Sequence, residues 1–181
     1  LLKKEYLTMG TITINNENVK DMSSKELAKN IFYIPQSPKL FNRTLYDNIV
    51  YGLTNPPSKE QIVETLRTME LDEIANVFAE KIDDSVGKDG SSLSGGQRQI
   101  VWLLRSLFRM KPIVVLDEPT AALDPESKKL VINAIEKVTS GKTVIIITHD
   151  DIVNNYKKIH FKQGKIINNN FQINNMFNSL M

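Results

Sequence analysis

Cysteine is absent from the 181 residues. That excludes a disulfide framework, a thiolate metal site and a cysteine nucleophile, and it is compatible with a reducing compartment. A dominant charge is missing too. The 23 Lys and Arg stand against 21 Asp and Glu, a net +2 with both signs interspersed, so no basic stripe points to nucleic acid. Long apolar runs are also lacking. The longest, such as Ile100 to Leu104 and Val144 to Ile147, fall far short of the roughly 20 residues of a membrane-spanning helix. No secretory signal pattern is visible. What remains is ordinary globular usage, 41% hydrophobic and 24% charged, which excludes collagen-like, mucin-like and wholly disordered chains. The length suits one domain with a real core. The first residue is Leu1 and not Met.

Periodicity gives the elements. Thr11 to Ile14 alternate and predict a half-buried strand, with Asn15 and Asn16 opening the turn after it. Ser23 and Glu26 form a capping box for a helix from Ser24 to Asn30. Ile31 to Ile34 predict a strand stopped by Pro35. Ser58 and Gln61 form a second capping box, with Ile62, Leu66 and Met69 as the buried stripe of the helix it starts. Leu71 to Phe78 predict another helix. A Gly/Ser-rich loop from Gly87 to Gly96 runs into an apolar helix over about Gln97 to Arg109, ended by Lys111 and Pro112. Ile113 to Leu116 and Val144 to Ile147 are continuous apolar runs of strand length, which suits parallel strands covered on both faces. Between them Glu126 to Val138 predict a helix with Leu130, Ala134, Ile135 and Val138 inward. Ile159 to Ile167 predict a hairpin turning near Gly164. The pattern is an α/β parallel sheet with a helical insertion.

Four groups of residues carry chemistry. Asp117 and Glu118 end the run Ile113 to Leu116, at the strand edge where open α/β sheets bind ligands. One carboxylate there can hold Mg²⁺ through its water shell, and the other can polarise an attacking water; an acidic pair is equally an ordinary strand end. Ser94, Gly95, Gly96 and Gln97 run straight into a helix, where exposed N–H groups and the helix dipole favour a phosphate; they also read as a plain capped helix start. His149 follows the strand ending at Ile147 and can bond a phosphate oxygen or hold a water, or simply sit in a loop. The Gln36 amide can reach a metal or its water, or do nothing.

Taken in order, Gln36, Leu93 to Gln97, Asp117, Glu118, Leu123, Asp124 and His149 resemble the ATP-binding-cassette (ABC) ATPase domain over about residues 5 to 167. Leu93 to Gln97 look like its signature, Ile113 to Glu118 like its Walker B strand, Leu123 and Asp124 like its D-loop, Gln36 like its Q-loop and His149 like its switch histidine. Leu40 to Ile49, and Val86 to Gly90, resemble the exporter-type members, in which a coupling helix of the membrane domain docks beside these segments.

The resemblance implies a P-loop NTPase-like, mainly parallel sheet with an inserted helical subdomain. Residues 1–38 would be a core part with the Q-loop and 39–110 the helical subdomain. Residues 111–167 would be the core with Walker B, D-loop and switch His, and 168–181 a polar tail. It implies ATP and Mg²⁺ as cofactors. Asp117 and Gln36 would hold the metal, Glu118 and His149 would be catalytic, and Ser94, Gly95, Gly96 and Gln97 would contact ATP bound to a second domain. Asp124 would couple the two sites. The implied partners are a second nucleotide-binding domain, in a homo- or heterodimer, and a transmembrane domain, which puts the chain at the cytoplasmic face of a membrane. A soluble ABC ATPase and a non-catalytic ABC-like module are the alternatives.

The family also needs a G-x-x-G-x-G-K-[ST] loop ahead of these motifs, and none occurs in the 181 residues. Leu1 to Tyr6 look like the end of the helix that follows it. The reading is therefore of a domain lacking its P-loop portion, truncated or natural, and inactive by itself. Where the family places small residues this chain has Trp102 and Leu104, which overpack the site unless their neighbours are smaller.

Overall fold

The computed structural model describes residues 10–150, 156–163 and 165–168. They divide into two units, one running to Asp150 and one beginning at Asp151.

The first unit opens with a two-residue hairpin, β1 (Thr13–Ile14) and β2 (Glu17–Asn18). Asn15 and Asn16 both take positive φ between them, as a tight hairpin turn requires. The strand expected over Thr11 to Ile14 is thus shorter at its start. Helix α1 (Ser24–Asn30) begins at the expected capping box and leads into β3 (Ile31–Ile34). Four helices follow: α2 (Leu45–Val50), α3 (Lys59–Thr68), α4 (Asp72–Lys81) and α5 (Gly95–Phe108). A strand β4 (Ile113–Asp117), a helix α6 (Pro125–Val138) and a strand β5 (Thr143–Ile147) complete the unit. Strands β3, β4 and β5 form a parallel sheet in that order, with Ile34 opposite Leu116, Leu116 opposite Ile146, and Asp117 opposite Ile147.

Alternation then sorts the sheet residues onto two faces. Ile34, Val114 and Leu116 are buried in the large core with α5 and α6, and Phe32, Val144 and Ile146 pack against it. Ile31 and Val115 belong to a smaller core with Ile14, Val19, Met22 and Leu27, on which Tyr33 and Ile113 pack. This second face is covered over β3 and β4 only. On β5, Ile145 is 40% and Ile147 52% exposed, which corrects the expectation that Val144 to Ile147 is buried on both faces. An apolar run sets what a strand can bury; among the described residues β5 is an edge strand packed on one face.

Other expectations need smaller corrections. Ile62 and Leu66 are fully buried on α3, while Met69 is its half-buried cap. On α6 the buried set is Val131, Ala134, Ile135 and Val138, and Leu130 is only partly covered. Helix α2 is an element the periodicity did not show; Thr44 caps it by accepting the Asp47 N–H. Trp102 and Leu104 stand in different surroundings. Leu104 is wholly buried, and Trp102 is half-buried at the rim, where its indole N–H donates to the Lys39 carbonyl at 3.2 Å.

The second unit, taken by itself, contains the antiparallel hairpin β6 (His160–Lys162) and β7 (Lys165–Asn168), where the sequence predicts it. The expectations for Leu1 to Tyr6 and for the tail after Asn168 lie outside the described residues.

Candidate active site

Strand β4 delivers Asp117 and Glu118 to the carboxyl edge of the sheet. Glu118 turns out of the strand with φ 46°, a left-handed conformation that is uncommon for a residue with a side chain. Its N–H donates to the Ile147 carbonyl at 2.8 Å, so the ladder to β5 fixes the turn. The Glu118 side chain is 15% exposed and that of His149 is 99% exposed. Oε1 of Glu118 lies 3.5 Å from His149 Nε2, and Oε2 accepts a long hydrogen bond from the His149 N–H at 3.4 Å. The structure thus brings together a sheltered carboxylate and a solvent-facing imidazole that stand far apart in sequence.

Asp117 is held differently. Tyr33, on the same face of adjacent β3, donates its hydroxyl to Asp117 Oδ2 at 2.6 Å. That bond, with burial, raises the Tyr33 phenol above its ordinary range. Gln36 is exposed two residues beyond β3, at the same sheet edge. No hydrogen bond joins its amide to Asp117 among the described residues, and its backbone carbonyl accepts from Gln99 Nε2 at 3.4 Å. A carboxylate oxygen and an exposed amide oxygen are hard donors. Mg²⁺ takes few protein ligands and keeps its waters, so this donor set fits it. A full cage of three or more acidic, His or Cys ligands is absent among the described residues, and Mg²⁺ does not need one.

The Ser94 to Gln97 segment forms a second cluster. Ser94 Oγ accepts the Gln97 N–H at 3.1 Å and Gln97 Oε1 accepts the Ser94 N–H at 3.0 Å. This reciprocal cap shapes the start of α5. A Cβ built on Gly95 would stand 2.7 Å from Leu123 Cδ2, and one on Gly96 would stand 3.2 Å from Ser127 Cβ. These glycines therefore also serve close packing against the Leu123 loop and α6. Asp124 caps α6, accepting the N–H groups of Glu126 and Ser127 at 3.1 and 3.0 Å. Hydrogen bonds from Ser127, then from the nearby backbone, hold its carboxyl below the ordinary range.

Three links escaped the sequence reading. Tyr33 reads as packing, since a strand tyrosine gives no sign of what its hydroxyl meets. Gln99 and Trp102 tie α5 to the Gln36–Lys39 backbone. Asp150 Oδ2 accepts from Lys128 Nζ at 2.8 Å and from Thr120 Oγ1 at 3.2 Å. The Lys128 bond joins Asp150, directly after His149, to α6. Only the last had a signal, an acid directly following the histidine.

Known proteins resemble this chain in sequence and in fold. The family model described as "ABC transporter" matches residues 1–121. An ATP-dependent lipid A-core flippase of Legionella pneumophila (strain Paris) is 37% identical over 170 residues, which are 92% of this chain and 29% of that protein. One from Francisella tularensis subsp. holarctica is 32% identical over 159 residues, 87% of this chain and 26% of that protein. The chain therefore spans under a third of the length of these curated relatives. A solved bacterial Atm1-family ABC exporter with ATP bound superposes with a TM-score of 0.64 at 28% identity, over 78% of this chain and 25% of that one. The fold is the P-loop NTPase-like α/β fold of such exporters, and the chain belongs to the ABC transporter family.

Proposed function

We propose that the chain is the ATP-hydrolysing part of an exporter-type ABC transporter. The observation that carries this reading is the Glu118–His149 pair, a sheltered carboxylate on a backbone held to β5 at Ile147 and facing an exposed imidazole at the sheet's carboxyl edge. Glu118 takes the proton of the water that attacks the terminal phosphate. His149 contacts that phosphate and helps hold the water. Asp117, with Gln36, would hold Mg²⁺, which neutralises phosphate charge when bound.

The signature cluster of Ser94 to Gln97 shares no described contact with Glu118 or His149 and packs on Leu123 and α6. A two-fold pair, in which each domain's signature serves the other's nucleotide, uses both clusters. Asp124, which fixes the start of α6 behind Leu123, couples them.

The membrane partner is supported by a surface on the helical part. The Val86 N–H donates to the Arg43 carbonyl at 2.9 Å and the Leu45 N–H to the Asp84 carbonyl at 3.0 Å, so the two exporter-like segments lie side by side. There Phe41 and Tyr51, each 43% exposed, pack with ring centroids 4.3 Å apart and planes tilted by 37°. Such an aromatic pair suits the docking of a partner helix. Docking on that partner would hold the chain at the cytoplasmic face. No helix among the described residues is long and apolar enough to cross a membrane.

The full-length protein is expected to hydrolyse ATP in a Mg²⁺-dependent manner. The 181 residues alone, which contain no G-x-x-G-x-G-K-[ST] loop, are expected to show no turnover. A phosphate-release assay on both decides: a full-length protein without Mg²⁺-dependent turnover contradicts the proposal.

A further inference from the structure

We infer that Tyr33 is a positioning residue for the metal, fixing Asp117 so that one chosen carboxylate oxygen is presented to the cation. This rests on the reading of Asp117 as the Mg²⁺ residue. Tyr33 and Asp117 come from adjacent parallel strands whose register places Tyr33 opposite Val115, two residues before Asp117 and on the same face. The hydroxyl reaches Oδ2 at 2.6 Å, the short range of a charge-assisted O–H···O⁻ bond. A carboxylate at a strand end is otherwise free to turn about its last torsion and to offer either oxygen. The bond to Tyr33 removes that freedom and leaves Oδ1 as the oxygen for the cation or its waters. Both partners stand on strands and not on loops, so the orientation is inherited from the sheet. Outer partners of this kind orient a ligand and govern metal affinity.

The test uses Mn²⁺ as the probe, with ADP, on the full-length protein, and reads free Mn²⁺ by electron paramagnetic resonance. Tyr33→Phe keeps the ring and removes the donor. It is expected to weaken Mn²⁺ binding about 10-fold or more, with metal-free ADP affinity unchanged. Unchanged Mn²⁺ affinity in Tyr33→Phe, while Asp117→Ala abolishes it, overturns the inference and leaves the reading of Asp117 standing. Unchanged affinity in Asp117→Ala, or no Mn²⁺ binding by the wild type, overturns both. A second measurement needs no variant. Bound Mn²⁺ is expected to broaden the ring resonances of isotope-labelled Tyr33, and sharp Tyr33 signals in the Mn²⁺-loaded protein would overturn both readings, since the ring meets Asp117 directly.

Discussion

At φ 46° Glu118 carries a backbone cost of about 1–2 kcal/mol for an L-residue. The surrounding ladder, with the Glu118 N–H on the Ile147 carbonyl, over-determines that conformation. Strain of this kind is retained where a side chain must be aimed. Glu118→Gly in the full-length protein is therefore expected to raise stability by about 1 kcal/mol while abolishing hydrolysis, measured by thermal melting and phosphate release on the same preparation. Loss of stability in that variant would mean that the carboxylate contributes more to folding than its backbone costs. Asp124 and Ser94 show the other side of residue-level design. Their side chains are already engaged in helix caps, so substituting them disturbs a helix start as well as any contact with nucleotide.

Helices α2 and α5 are joined by a buried polar knot. Arg105, 4% exposed, donates from Nε to the Asn48 carbonyl at 2.6 Å and from Nη2 to Asn48 Oδ1 at 2.9 Å. Its guanidinium lies 4.9 Å from the Trp102 ring centroid and 5.7 Å from that of Phe41. Burial, then the nearby Arg109 charge, pushes its pKa down to about 10, so it stays charged at neutral pH. Asn48 in turn accepts the Phe41 N–H and donates to the Phe41 and Thr44 carbonyls. Asn48→Ala strands several of these groups at about 1–3 kcal/mol each where they stay buried. It is expected to cost at least about 2 kcal/mol in urea denaturation, and a change under about 0.5 kcal/mol, the range of an ordinary surface site, would show that water replaces the lost partner.

A second tie at this scale depends on pH. Lys128 chiefly, aided by Thr120, holds the Asp150 carboxyl below its ordinary range. A carboxyl lowered in the folded state stabilises fully above its unfolded value of about 3.9 and loses that contribution as pH falls through the folded value. The anchoring of Asp150 to α6 is thus expected to weaken below about pH 4. Lys128→Met is expected to flatten that part of the acid melting profile, and an unchanged profile would refute the tie.

Elements were legible where a local rule fixes them. The capping boxes at Ser23 and Ser58 stand where the sequence puts them, and Ser94 caps α5 as a capped helix start should, there too with a reciprocal box. Helix α2 was hidden because six residues carry too little periodicity. The exposure of Ile145 and Ile147 was hidden because burial depends on what covers a strand.

For the whole molecule, the order of motifs was enough to assemble the fold, since parallel strands joined by helices bring their carboxyl ends to one edge. What it left open was which side chains meet there. The register of β4 against β5 put Glu118 beside His149, and that of β3 against β4 put Tyr33 on Asp117. The account as a whole stands on Glu118 as the base for hydrolysis. Its most direct test is Mg²⁺-dependent ATP hydrolysis by the full-length protein carrying Glu118→Gln, an isosteric change that removes the base, with ATP affinity measured in parallel. The account predicts a fall in kcat of about 10²–10⁴-fold with ATP binding preserved, and turnover at the wild-type rate would contradict it.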